Sequence, residues 1–268
     1  MHPRLSVSAV SSWDWTLDED LRYWDRTGID HVGLSFRKLE DAGLGPATRR
    51  IRDAGLRVSD IVELGWWNLD EPATWAPQRD RLFAALDVAV ATGAPALVLT
   101  SGPAGKLGWD DALGALDAAL APVRERAAEG RVGLALEHTG ALRLDLSFVT
   151  TLGDGVDAAR TLEIGVCVEV NSCFAERGLE ETLRGASDLL RHVQVSDFVI
   201  GSHCTPDRAV PGDGDIPLGP ILAWLDTAGY RGPFELELVG PRIQSEGYES
   251  TIRRAVTYLD ELLSTSVS

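Results

Sequence analysis

The chain has 268 residues, 44% hydrophobic and 25% charged, which is ordinary globular composition with enough apolar material for one large core. Its formal charge is −16 and its only lysines are Lys38 and Lys106, so it lacks the cationic footprint that nucleic acids and anionic membranes select. The opening MHPRLSVSAV has no apolar signal core, no run of eighteen apolar residues follows, and Cys167, Cys173 and Cys204 form no paired motif, so a cytoplasmic location is expected.

Eight short runs rich in leucine and β-branched residues follow one another: LSVSAV (5–10), HVGLS (31–35), RVSDIVEL (57–64), ALVLT (96–100), VGLALE (132–137), IGVCVEV (164–170), HVQVSD (192–197) and FELELV (234–239). Between them lie amphipathic stretches such as LDEDLRYWDRTG, PATRRIRDAG, APQRDRLFAALDVAVATG, LSFVTTLGDGVDAARTL and LGPILAWLDTAG, several ending in glycine as helices commonly do. Parallel strands need crossover helices, and strands covered on both faces are apolar along their length. The pattern predicts an α/β protein, a single (β/α)8 TIM barrel over residues 1–268, with no linker dividing it. The long segment FVIGSHCTPDRAVPGDGDIPL (198–218), after the seventh run, is expected over the catalytic face.

In this architecture the active site lies at the carboxyl ends of the strands. Glu137 ends the fifth run, Glu169 falls near the end of the sixth, Gln194 lies in the seventh and Glu237 in the eighth. Three carboxylates and an amide converging inside an apolar barrel would repel one another unless a cation held them. Hard oxygen donors suit Mn²⁺ or Mg²⁺. The alternative is that these residues are rim groups or ion-pair partners.

The order of LALEHTG (134–140), EVNS (169–172), HVQVSD (192–197) and GYRGPFELELVG (229–240) resembles the xylose-isomerase-like TIM-barrel superfamily, which includes sugar isomerases and epimerases. The resemblance implies that Glu137, Glu169, Gln194 and Glu237 are metal ligands, with Glu237 preferred over Glu235 and Gln194 over His192. It also implies that Glu137 is a catalytic acid/base and that Arg208 contacts substrate oxygen; with a metal holding the substrate, Glu137 and Glu237 are expected to flank the reacting carbon, one removing the proton and the other returning it. Two positions depart from the family pattern: Glu169 stands where an aspartate is usual, and Ser172 where a histidine commonly reaches substrate. Asp197 is expected to position Gln194.

Six of the eight tryptophans, Trp13, Trp15, Trp66, Trp67, Trp75 and Trp109, follow strands one, three and four. Trp13, Trp66, Trp67 and Trp109, with His138 and Ser172, are candidate substrate contacts, since tryptophan stacks on flat ligands and sugars. No phosphate fingerprint appears, so the expected substrate is an uncharged small molecule: a polyhydroxy ketone, a keto-glycoside or a related cyclic compound. The expected activity is metal-dependent isomerisation or epimerisation by proton abstraction next to a carbonyl. A lyase sharing the same first step and a non-catalytic binding barrel are the alternatives. By analogy with similar proteins, a homo-oligomer or a partner subunit is compatible with this reading.

Overall fold

Each of the eight runs forms a strand in the computed structural model, which describes residues 1–266. The elements are, in order, β1 (Leu5–Ser8), α1 (Leu17–Thr27), β2 (His31–Ser35), α2 (Phe36–Asp41), α3 (Leu44–Asp53), β3 (Arg57–Glu63), α4 (Trp75–Thr92), β4 (Ala96–Thr100), α5 (Trp109–Gly130) and β5 (Gly133–Glu137). They continue with α6 (Leu152–Thr161), β6 (Gly165–Glu169), α7 (Val170–Cys173), α8 (Leu179–Gly185), β7 (Leu190–Val195), α9 (Leu218–Thr227), β8 (Phe234–Leu236), α10 (Pro241–Glu246) and α11 (Tyr248–Ser266). Neighbouring strands pair in parallel and β1 pairs with β8, closing the barrel. This is the expected (β/α)8 architecture; residues 267 and 268 lie outside the described part.

Alternation along each strand sorts its side chains between two cores. Outward residues such as Leu5, Leu34, Leu97, Leu136 and Val168 pack in the layer between barrel and helices. Inside the barrel, Val62, Val98, Ala135 and Cys167 form a small apolar plug. Because Cys167 and Glu169 lie two residues apart on β6, Glu169 stands one layer nearer the carboxyl-terminal mouth than this plug.

Local chemistry sets the helix starts. Thr16 and Glu19 form a reciprocal capping box at α1. The helix expected from Leu146 begins only at Leu152: the Ser147 hydroxyl bonds the Val149 backbone, and the Thr151 side chain accepts the Asp154 N–H as N-cap. Glu237 lies one residue beyond β8, with its N–H still bonded to Val195 O at 3.1 Å.

Candidate active site

Three of the four expected ligands project into one region at the barrel mouth. Glu137 and Glu169 are the last residues of β5 and β6, and Glu237 follows β8. All three are buried. Between Glu169 and Glu237 lies the Arg208 guanidinium. It donates to Glu237 Oε2 at 2.5 Å and to the Glu237 carbonyl at 2.9 Å, and its other arm pairs with Glu169 Oε2. No local pattern announces that Arg208 reaches these glutamates, because both contacts span long stretches of chain.

The electrostatics are lopsided: three carboxylates face one guanidinium. Burial raises the Glu137 pKa well above the usual carboxylate value, and the charges of Glu237 and Glu169 push it further. Burial also lifts Glu169 to about 7, against the lowering by Arg208. Arg208 itself is held more firmly charged, because the pull of Glu169 and Glu237 outweighs the cost of burying it. With all three carboxylates ionised, as metal ligands are, the group carries an excess of two negative charges, and its all-oxygen donor set fits a hard divalent cation.

Gln194 is fully buried on β7, but its carbonyl oxygen accepts from the Cys167 thiol at 3.4 Å, and its Nε2 has no partner among the described residues. The three glutamates therefore face the mouth without Gln194, close enough for their charges to act on one another. Glu169 is also a helix cap. Its Oε1 accepts the Asn171 N–H at 2.9 Å and closes the start of the short turn α7, in which half-buried Ser172 lies.

The tryptophans divide. Trp13 and Trp66, on the loops after β1 and β3, and Trp109, the first residue of α5, are exposed by 37, 53 and 37%, whereas Trp67 is 1% exposed and packs in the core, edge-on to Trp75. A ring sunk in the core offers no face to a ligand at the mouth. Arg37 stacks over Trp13, its Cζ 4.5 Å from the ring centroid, and Trp109 meets Phe148 edge-on at 5.4 Å.

His138 is fully buried with both ring nitrogens unpartnered among the described residues, and its Cβ lies against Gly155 of α6. Burial alone lowers its pKa to about 4. Below pH 6.5 the unfolded chain therefore takes up a proton that the fold refuses. Its contribution to stability is complete above 6.5 and is lost as pH falls towards 4, by about 2 kcal/mol between pH 6.5 and 5. Denaturant titrations should show this slope in the parent and a flatter one in His138→Asn; equal slopes would refute it.

Asp197 does not support Gln194 as expected; it organises the long loop. Its Oδ1 accepts the N–H groups of Phe198 and Ile216, and its Oδ2 those of Gly212 and Gly214, at 2.9–3.1 Å. Glycine is required at 214 because an added Cβ would lie 2.3 Å from Asp197 Oδ1 and 2.6 Å from Phe198 O. Gly214→Ala should cost about 1–3 kcal/mol, as overpacking does, read as a lower denaturation midpoint. An unchanged midpoint would mean that the loop has room to shift.

The sequence matches the family described as Xylose isomerase-like TIM barrel over residues 22–262. A search of curated proteins by sequence finds no match. Among solved structures, protein SMc04130 from Sinorhizobium meliloti 1021 superposes with a TM-score of 0.89 at 23% identity, covering 97% of this chain and 98% of its own. The IolI protein, described with a bound zinc atom, gives 0.83 at 19% identity, covering 99% of both chains. The 3-keto-D-glucoside 4-epimerase YcjR from E. coli gives 0.75 at 16% identity, covering 95% and 99%. At these identities the structural likeness speaks for the fold, and the family match over most of the chain goes further: this protein belongs to the xylose isomerase-like TIM barrel family.

Proposed function

We propose that the chain is a divalent-metal-dependent sugar isomerase or epimerase. It would abstract and return a proton next to the carbonyl of a polyhydroxy ketone, a keto-glycoside or a related cyclic substrate. The observation that carries this reading is the buried group of Glu137, Glu169 and Glu237, three carboxylates against the single guanidinium of Arg208, at the catalytic end of the barrel. The zinc in the IolI structure and the epimerase activity in the YcjR name support it.

The three glutamates would hold the ion, with Gln194 completing the set when its carbonyl turns from Cys167. Without imidazole among these donors, Mn²⁺ or Mg²⁺ suits them better than zinc. Bound there, the ion would supply stabilisation of the negative charge that develops on substrate oxygen.

The remaining work falls to the chain itself. Glu137, which has no cation of its own in the wall, and Glu237, which is ion-paired to Arg208, lie in unlike environments, as an acid and a base do. Arg208 can turn from its carboxylates to a substrate oxygen. Exposed Trp13, Trp66 and Trp109 provide apolar faces for a sugar ring or its substituent. Together these features favour an uncharged small-molecule substrate.

The test is proton exchange in D₂O with a panel of ketoses and 3-keto-glycosides, followed by NMR and mass spectrometry, comparing Mn²⁺-loaded with chelator-treated protein. Metal-dependent deuterium incorporation into an isomer of the substrate is expected. A lighter product would move the assignment to a lyase, and ligand binding without exchange on any substrate would identify a binding barrel.

A further inference from the structure

A second group of ionisable side chains lies inside the barrel and takes no part in the rim chemistry. Asp60 on β3, His192 on β7 and Glu235 on β8 are each fully buried, and one ligand atom from each lies within 4.8 Å of the other two. His192 Nε2 stands 2.8 Å from Glu235 Oε2 and 3.5 Å from Asp60 Oδ1. Tetrahedral zinc, with bonds near 2.0–2.1 Å, sets its ligands about 3.4 Å apart. His192 Nε2 already stands close to that spacing from both carboxylates.

Charge separates this cluster from the other buried acids, Glu137 apart. Asp20 has Lys38, Glu63 has Arg81, Glu169 and Glu237 share Arg208, and Asp197 takes four backbone N–H groups. Asp60 and Glu235 have one imidazole between them and the hydroxyl of Ser59, 2.7 Å from Asp60 Oδ1. With both carboxylates ionised, even a protonated His192 would leave one negative charge uncompensated, in a region where that is costly. Among the described residues Asp60 Oδ2 and Glu235 Oε1 have no hydrogen-bond partner, and neither does Ser6 Oγ, whose residue is buried and pairs in register with Glu235.

The barrel wall is also shaped around these carboxylates. Gly33 pairs with Asp60 across β2 and β3; a Cβ there would lie 1.6 Å from Glu235 Oε1 and 2.7 Å from Asp60 Oδ1. Strand β2 thus gives up a side chain at the one place where both acids need the space.

We propose that Asp60, His192 and Glu235 form an inner divalent-metal site of zinc type, with Ser6 Oγ as the neighbouring oxygen available for a fourth position. The ion takes the place of the proton that His192 Nε2 shares with Glu235, and two carboxylates balance its charge. An imidazole among the donors favours zinc here, whereas the all-oxygen rim favours Mn²⁺ or Mg²⁺. The inner ion ties β3, β7 and β8 together from within, apart from turnover at the mouth.

Zinc itself is the probe. Protein unfolded with a chelator, refolded in zinc and crystallised should show an anomalous peak at the zinc edge bonded to His192 Nε2. The triple variant Glu137→Gln/Glu169→Gln/Glu237→Gln should retain about one zinc per chain by elemental analysis, and adding His192→Gln should remove it. A zinc-loaded parent crystal without a peak at His192 overturns the proposal, whether or not one appears among the rim glutamates. That map also decides the matter if any variant fails to fold. A peak at His192 with none at the rim would support the inner site and count against the proposed catalytic metal.

Discussion

A Glu137→Gln variant is expected to fold as the parent does and to lose exchange and product formation by about 10²–10⁴-fold, the range that a general acid–base group contributes. The amide keeps the shape of the carboxyl but can neither take nor give the proton. The fold should tolerate the change, because burial and like charges already disfavour the ionised form of Glu137 and no side-chain hydrogen bond of this residue anchors the wall. Circular dichroism and denaturation midpoints would establish the first half of this expectation and deuterium exchange the second. A variant with parental activity would remove Glu137 from the chemistry and leave Glu237 to be tested in the same way.

Lys38→Met is expected to cost about 3–5 kcal/mol of stability at neutral pH, as breaking one side of a buried ion pair does. The Lys38 ammonium, on α2, is 2% exposed and donates to Asp20 Oδ2 at 2.6 Å, Ser12 O at 2.9 Å and Ser12 Oγ at 3.2 Å. It thereby fixes α2 and α1 to the turn after β1 that leads into Trp13. Burial already raises Asp20 to about 6 even with the lysine beside it. An acid raised in the fold stabilises most below its unfolded value near 3.8, and that contribution fades as pH rises through about 6. Without Lys38 the Asp20 pKa climbs further, so the deficit should be largest near neutrality and shrink towards pH 4. Restoring apolar packing with Asp20→Leu in the Lys38→Met background should recover much of the loss. Midpoints across pH 4–7 for the parent, the single and the double variant check each step; a deficit independent of pH would assign the loss to packing instead.

The barrel was legible in the sequence because its strands are covered on both faces, and continuous apolar runs such as ALVLT and HVGLS have few other uses. The rim glutamates were legible for the opposite reason, since a carboxylate that closes an apolar strand needs something to face. What escaped depends on direction and distance in space. Trp66 and Trp67 are the same residue type one position apart, yet one is exposed and the other lies in the core. Asp197 bonds backbone groups up to nineteen residues away, which no side-chain pattern announces. In HVQVSD and FELELV the motif order favours Gln194 and Glu237 and leaves His192 and Glu235 without a role. Only the register of β3, β7 and β8 brings those two to Asp60.

The Asp197 carboxylate has a consequence for how this protein could acquire new specificity. One side chain at the end of the seventh strand staples the start of the loop, at Phe198, to its return, at Gly212, Gly214 and Ile216. The mostly exposed stretch 200–205, ahead of Arg208 and the buried Ala209 and Val210, can therefore be exchanged as a cassette. Grafts of different length and composition there should leave the cylinder intact while redrawing what the mouth accepts.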